Sequence, residues 1–210
     1  MRINPLLKKI YLEKKDFVTS EELKKYCNML EVDYDNAVRN LLSRGYLLRI
    51  FKGIFYVYGL DEIKLGGMKY SCLELVAEGL RLKNIKNWYF GLYTALKLNN
   101  MTHEEFAVEH VINDALFRAK PMEIAGHKFK FYRIKPILIK PGIIKKGKIR
   151  YSDPEKTIVD FIYLWGYNGI PEERIVMDIS EYAKDISKSK IRNYAKFYPK
   201  TVNKILEMLL

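Results

Sequence analysis

Three histidines, two cysteines and a scatter of carboxylates are the groups in this chain that could hold a metal or move a proton. Their spacing does not gather them. His103 and His110 are seven residues apart on a segment that reads as loop running into strand, off any shared face, and His127 sits beside a turn. Cys27 and Cys72 each stand alone in an apolar pattern, as buried thiols of a reducing compartment do, and by themselves make no zinc site. No glycine-rich phosphate loop, G-x-S-x-G turn or H-E-x-x-H pair occurs. Asp153, Glu155 and Lys156 resemble a nuclease carboxylate–lysine cluster. All three fall in one first helical turn, however, where capping accounts for Asp153 and Glu155. Asp178, Glu181 and Asp185 have the spacing of a solvated helix face, with Lys184 and Lys188 as partners. Asp160, inside an apolar helix, reads as buried against a lysine or a backbone amide. No catalytic residue, metal ligand or cofactor is expected, and the chain reads as non-enzymatic.

The chemistry that remains is recognition of negative charge. The net charge is +12, unevenly spread. Residues 1–60 carry 11 basic and 7 acidic side chains, and residues 119–150 carry 10 basic against the single Glu123. A polyanion is the natural partner, met on two surfaces. The second surface is formed by Lys128, Lys130, Lys145, Lys146, Lys148 and Arg150, interleaved with Phe129, Phe131 and Tyr132. It could grip phosphates, face an acidic partner protein or that partner's RNA, or simply protect a sheet edge with charge.

The bulk composition is that of a folded, soluble protein, with 49% hydrophobic and 30% charged residues. No run of eighteen apolar residues occurs, so no membrane association is expected. The opening MRINPLLKKIYLEKKDF lacks the apolar stretch of a secretory signal. A cytoplasmic protein is expected. There is no glutamine, and Lys, Glu, Ile and Tyr abound, a bias that suits a thermophile.

The elements that would position the first basic group are short. Leu6, Leu7, Ile10 and Tyr11 have helical spacing, which predicts a helix near 3–14. Thr19 or Ser20 can cap a second over 20–27, with glutamates in its first turn. Asp33 caps a third over 34–44, whose apolar face is Val38, Leu41 and Leu42, with Gly45 as its left-handed terminator. The runs YLLRI and IFYVY, joined by FKG, read as a hairpin. Three helices followed by a basic-tipped hairpin is the order of a winged helix-turn-helix, with the third helix in the major groove and the hairpin as a wing. Candidate contacts to double-stranded DNA are Thr19, Ser20, Asn36, Arg39, Asn40, Ser43 and Arg44, with Arg49 and Lys52 on the wing.

The expected layout is therefore a winged helix over 1–60, a linker over 61–70 containing paired glycines, and a second domain over 71–210. The second domain reads as α+β. A helix near 71–82, a strand running into a helix near 91–98, and strand-like FAVEHVI come first. A hairpin turning at Ala125–Gly126 and a basic β segment follow, giving a small, mainly antiparallel sheet. SDPEKTIVDFIYLWG is the sharpest helix signal, with Asp153 as cap, Pro154 at the first position and Gly166 as its end. Helices around 171–185, 188–198 and 200–209 complete a helical C-terminus.

The pairing of GYLLRIFKGIFYV with a later SDPEKTIVDFIY, and the segment FGLYTALKLN between them, resemble the AbiEi-type antitoxins of abortive-infection toxin–antitoxin systems. The resemblance covers most of the chain on short, largely structural motifs. It implies a transcriptional autorepressor whose second domain counteracts a cognate toxin, with no tight complex required. It assigns Arg39, Arg49 and Lys52 to DNA contact and the Asp153–Trp165 helix to the second domain's core, and carries over no catalytic residue. Two copies on neighbouring half-sites would be the usual way such a small unit gains specificity. Two other readings stay open: a solitary ligand-responsive repressor, and a nuclease or nucleotidyltransferase brought to DNA by the winged helix.

Overall fold

The computed structural model describes residues 4–210, so Ile3, the expected start of the first helix, lies outside the described residues. The chain is a mixed α+β protein with two sheets and a helical C-terminus. It divides into two compact units: Met1–Asn84 with Ile124–Gly126, and Ile85–Glu123 with His127–Leu210. None of its helices is long and apolar enough to cross a membrane, among the described residues.

The first unit runs α1 (Pro5–Leu12), β1 (Phe17–Thr19), α2 (Ser20–Met29), α3 (Tyr34–Ser43), β2 (Leu47–Phe51) and β3 (Ile54–Val57). Two helices, α4 (Leu60–Leu65) and α5 (Cys72–Leu82), complete it. Its helix ends are set by side chains. The Thr19 hydroxyl accepts the Glu22 amide at 3.3 Å while the Glu22 carboxylate accepts the Thr19 amide at 2.8 Å. Asp33 accepts the Asn36 amide at 2.8 Å, and Gly45, at φ +70°, ends α3 in the left-handed region. Leu6, Ile10, Val18, Leu23, Cys27 and Leu41 are fully buried together beneath the sheet, whose strand order is β1-β3-β2. β1 is too short to be read from periodicity; it exists because Phe17–Thr19 pairs antiparallel with Ile54–Tyr56 of β3.

The expected linker over 61–70 is instead folded onto this unit. Glu62 accepts hydrogen bonds from the Gly59 amide at 2.7 Å and from the Tyr56 hydroxyl. Asp16 accepts from the Lys69 ammonium at 2.8 Å and the Tyr70 hydroxyl at 2.6 Å. The rings of Phe17, Tyr56 and Tyr70 meet at centroid distances of 5.3–5.7 Å. Helix α5, expected to open the second domain, belongs to the first unit. Gly79 makes that possible: a Cβ there would lie 2.6 Å from the Phe51 ring and 2.9 Å from Ile50 of β2. The boundary therefore lies at Asn84–Ile85, later in the chain than the 61–70 expectation.

The remaining strands and the first helix among them are β4 (Trp88–Phe90), α6 (Leu92–Leu98), β5 (Val108–Asn113), β6 (Met122–Ile124), β7 (His127–Arg133), β8 (Ile143–Lys146) and β9 (Ile149–Ser152), all in the second unit except Ile124, the last residue of β6. Then come α7 (Pro154–Tyr167), α8 (Glu172–Ile179), α9 (Lys188–Ala195) and α10 (Lys200–Leu209). The sheet order is β6-β7-β5-β4-β9-β8. It is mixed: β4 pairs β5 and β8 pairs β9 antiparallel, as the β6–β7 hairpin must be, while β5 pairs β7 and β4 pairs β9 parallel, which the expected mainly antiparallel sheet did not include. The β6–β7 turn falls at Ala125–Gly126 as expected, with φ of +52° and +78°, the two left-handed residues a tight hairpin turn requires. Helix α7 packs Ile158, Val159, Phe161 and Ile162, all fully buried, into the main core with α6 and α8–α10. Gly166 lies inside α7 rather than ending it; the chain leaves through Asn168 and Gly169, at φ +77°. Helices α8 and α9 stop at Ile179 and Ala195, short of the expected 185 and 198.

Candidate nucleic-acid interface

Helix α3 turns Val38 and Leu41 inward, which leaves its polar residues on two adjacent outer stripes. Asn36, Asn40 and Arg44 follow one another at four-residue intervals, and so do Arg39 and Ser43. Asn36, Asn40 and Arg44 line a shallow depression of about 400 Å³ together with Asn4 and Asp33. Arg39 is exposed and has no hydrogen bond or ion pair to any described residue. Ser43 donates to the Asn40 carbonyl at 3.0 Å, which leaves its oxygen lone pairs outward. Amide and guanidinium groups on one exposed helix face have the donor–acceptor geometry that base edges match.

The hairpin β2–β3 turns at Lys52–Gly53, with Gly53 at φ +77°. Its tip is not loose: the Gly53 carbonyl accepts the Ser20 amide at 2.8 Å, at the N-terminus of α2. Arg49 is exposed with its guanidinium 5.6 Å from the Phe55 ring centroid, and Lys52 is exposed at the turn. Thr19 and Ser20, expected as DNA contacts, are half-buried and also bonded within the first unit. Thr19 is occupied by its reciprocal bonds with Glu22, and the Ser20 hydroxyl accepts from Tyr34 at 3.0 Å. These bonds help hold α2 and α3 in place, and Asn36, Arg39, Asn40, Ser43, Arg44, Arg49 and Lys52 are the other expected contacts, each exposed or half-buried.

The second basic group is not one surface. Lys128 and Lys130 are on β7, whereas Lys145, Lys146 and Lys148 belong to the β8–β9 hairpin; β5, β4 and β9 lie between β7 and β8. Four strand spacings of about 4.8 Å separate them by roughly 19 Å. Lys130 is half-buried and donates to the Ala119 carbonyl. Arg150 donates to the Lys86 carbonyl at 2.9 Å and lies over the Trp88 ring. Lys145 and Lys146 remain exposed on the edge strand.

The carboxylates that resembled a nuclease cluster are held inside the second unit. Asp153 caps α7 through the Lys156 amide at 2.8 Å, but capping is not its whole role: it also accepts from Tyr194 at 2.9 Å and lies 3.0 Å from Lys190. Glu155 accepts the Ser187 amide at 3.0 Å and the Lys190 ammonium at 2.8 Å. Burial works to raise its pKa, and these bonds outweigh it and hold Glu155 below the usual carboxylate range. Burial and the bond to Asp153 push Tyr194 up to about 12.

Asp160 does find a lysine, one turn back. Lys156 Nζ lies 2.8 Å from Asp160, and Asp160 also accepts from the hydroxyls of Tyr89 at 2.8 Å and Tyr198 at 2.6 Å. Both charged side chains are fully buried. Burial lowers the Lys156 pKa against the pull of Asp160, and burial beside that carboxylate drives both tyrosines well above their ordinary value. The network is sealed from solvent, so no substrate reaches it. The sequence signal for Lys156 was its i,i+4 spacing to Asp160 on an otherwise apolar helix. Among the histidines, His103 and His127 are exposed and His110 is half-buried on β5. No group of three or more His, Cys, Asp or Glu side chains suited to a metal occurs among the described residues.

No family model matches the chain, and no curated protein matches it. Among solved structures, the crystal structure of protein Rv2827c from Mycobacterium tuberculosis is similar over all of this chain and 77% of its own, with a TM-score of 0.62 at 14% identity. At that identity the likeness speaks to the fold alone.

Proposed function

We propose that the first unit is a winged helix-turn-helix that binds double-stranded DNA, and that the protein is a cytoplasmic, non-enzymatic transcriptional autorepressor. The observation that carries this reading is the outer face of α3, where Asn36, Arg39, Asn40 and Ser43 stand clear of the core. Beside it, a hairpin with Arg49 and Lys52 is tied to α2 through Ser20 and Gly53. In this reading α3 enters the major groove, and Arg49 and Lys52 meet phosphates. Two copies on adjacent half-sites supply the specificity one short helix lacks.

The second unit, in the same reading, supplies antitoxin activity against a cognate toxin without a stable complex. Support for that half comes from the resemblance of GYLLRIFKGIFYV, FGLYTALKLN and SDPEKTIVDFIY to the AbiEi-type antitoxins. The test of the DNA half is binding of the full-length protein to the DNA upstream of its own gene and to unrelated DNA, across a salt series. A preference for the upstream DNA of about a thousandfold or more is the expected result. Equal, steeply salt-dependent binding to both would reduce the first unit to a non-specific polyanion binder.

A further inference from the structure

Strands β5 and β7 run parallel with His110 opposite Lys130 and Ile112 opposite Tyr132. Paired residues on adjacent strands share a face, so His110, Lys130 and Tyr132 stand on one side of the sheet. There they line an open pocket of about 420 Å³ whose other walls include Tyr93 and Phe106. The rings are ordered. His110 stacks on Tyr132 at 5.7 Å with 12° between planes, and Tyr93 lies 5.6 Å from His110 and 4.4 Å from Phe106.

Two polar groups mark this pocket. The imidazole Nδ1 of His110 is buried without a hydrogen-bond partner. Lys130 is in no ion pair with a described carboxylate. An unpartnered buried polar group persists where a site needs it. Burial, and secondarily Lys130, hold His110 down to about 4, so its imidazole is neutral and has one nitrogen able to donate and one able to accept.

The ligand must answer all of these at once. An aliphatic molecule would use the walls, leave the imidazole without a partner and leave the Lys130 charge, held by the Ala119 carbonyl and the Tyr132 ring, uncompensated by any described carboxylate. A bare anion would use Lys130 and leave the rings idle. A planar nitrogen heterocycle carrying a negative group uses all three, and the cavity has the volume of a small-molecule site. We propose that this cavity binds a single nucleotide, its base against Tyr93 and Phe106, its ring nitrogens toward His110 and its phosphate on Lys130. The same chemistry is offered by a free nucleoside monophosphate and by one unpaired nucleotide of a strand, whose base stacks on aromatic side chains.

The test is calorimetric titration of the full-length protein with AMP, GMP, CMP and UMP, and with single-stranded pentanucleotides of the same bases. Salt of about 0.3 M suppresses contacts to exposed lysines. At least one probe is expected to bind with Kd of about 1 mM or tighter. Phe106→Ala, in a loop, and Lys130→Gln should each weaken it at least about fivefold, and His110→Phe, which keeps the stack but removes the nitrogens, about tenfold. Binding of monophosphates identifies a free nucleotide as the ligand; binding of pentanucleotides alone identifies a strand. Absence of binding by every probe up to about 10 mM overturns the proposal. So does binding that Phe106→Ala and Lys130→Gln both leave unchanged, which would place the ligand elsewhere.

Discussion

Arg39 on α3 and Lys156 on α7 are both cations on amphipathic helices, and the two units treat them in opposite ways. Arg39 stands in solvent with no partner among the described residues, while Lys156 is fully buried against Asp160, Tyr89 and Tyr198. A charge left exposed on a short helix adds little to folding and remains available to a ligand. A charge buried with every neighbour committed is unavailable to a ligand and costly to disturb. The first unit therefore carries its polar chemistry outward on α3 and the β2–β3 hairpin. The second carries much of its own inside, between α7, α9 and the Tyr198 segment.

The sharpest way to break this contrast is to remove one buried partner. Lys156→Met should leave Asp160 uncompensated and destabilise the second unit by roughly 3–5 kcal/mol, read from the urea midpoint. Restoring apolar complementarity with Lys156→Met plus Asp160→Leu should recover much of that loss. A single variant as stable as the parent would mean the pair is not charged inside the protein.

Next in size is the response to acid. The ordinary His pKa is 6.5, and in the folded chain burial, with Lys130 nearby, takes His110 to about 4. Between those values the unfolded chain binds a proton that the folded chain refuses. The His110 contribution is thus complete above about pH 6.5 and declines as pH falls toward 4, by about 3 kcal/mol in all. His110→Phe should flatten that part of the stability–pH curve, whereas His103→Phe, at an exposed position, should not.

Arg39 is the counterpart in the first unit. Arg39→Ala should leave stability within about 0.5 kcal/mol and, in the DNA-binding reading, reduce discrimination between operator and unrelated DNA by roughly 1–3 kcal/mol. Equal weakening on both DNAs would make Arg39 a phosphate ligand. The smallest effect is expected from Lys145→Ala with Lys146→Ala. If the β8 edge touches DNA, the logarithmic salt slope should shallow by about 0.9 for each phosphate no longer neutralised; an unchanged slope leaves these lysines as charge that guards a sheet edge.

What the sequence disclosed was local. Caps, terminators and turns at Thr19, Asp33, Gly45, Asp153 and Ala125–Gly126 were readable because each acts within a few residues. The face of α3 followed from its periodicity alone. What escaped depends on partners remote in the chain. The β4–β9 pairing joins Phe90 to Tyr151, and parallel pairing leaves no short-range trace. Gly79, inside α5, marks the close approach of α5 to β2 that moves the unit boundary, and nothing near it in the chain signals that contact. The run of lysines from 128 to 148 looked continuous until the strand order set β7 and β8 four spacings apart. Likewise, Thr19 and Ser20 looked like surface donors because their internal partners, Glu22 and Tyr34, become visible only once α2 and α3 are placed.

The bond from the Ser20 amide to the Gly53 carbonyl fixes a hairpin tip that would otherwise be among the most mobile parts of so small a unit. Ordering a loose loop on association subtracts from affinity. Here that entropy is surrendered during folding, before any encounter. Whatever the tip of β2–β3 touches should therefore bind as to a rigid body, with a heat-capacity change that reflects buried surface rather than coupled ordering.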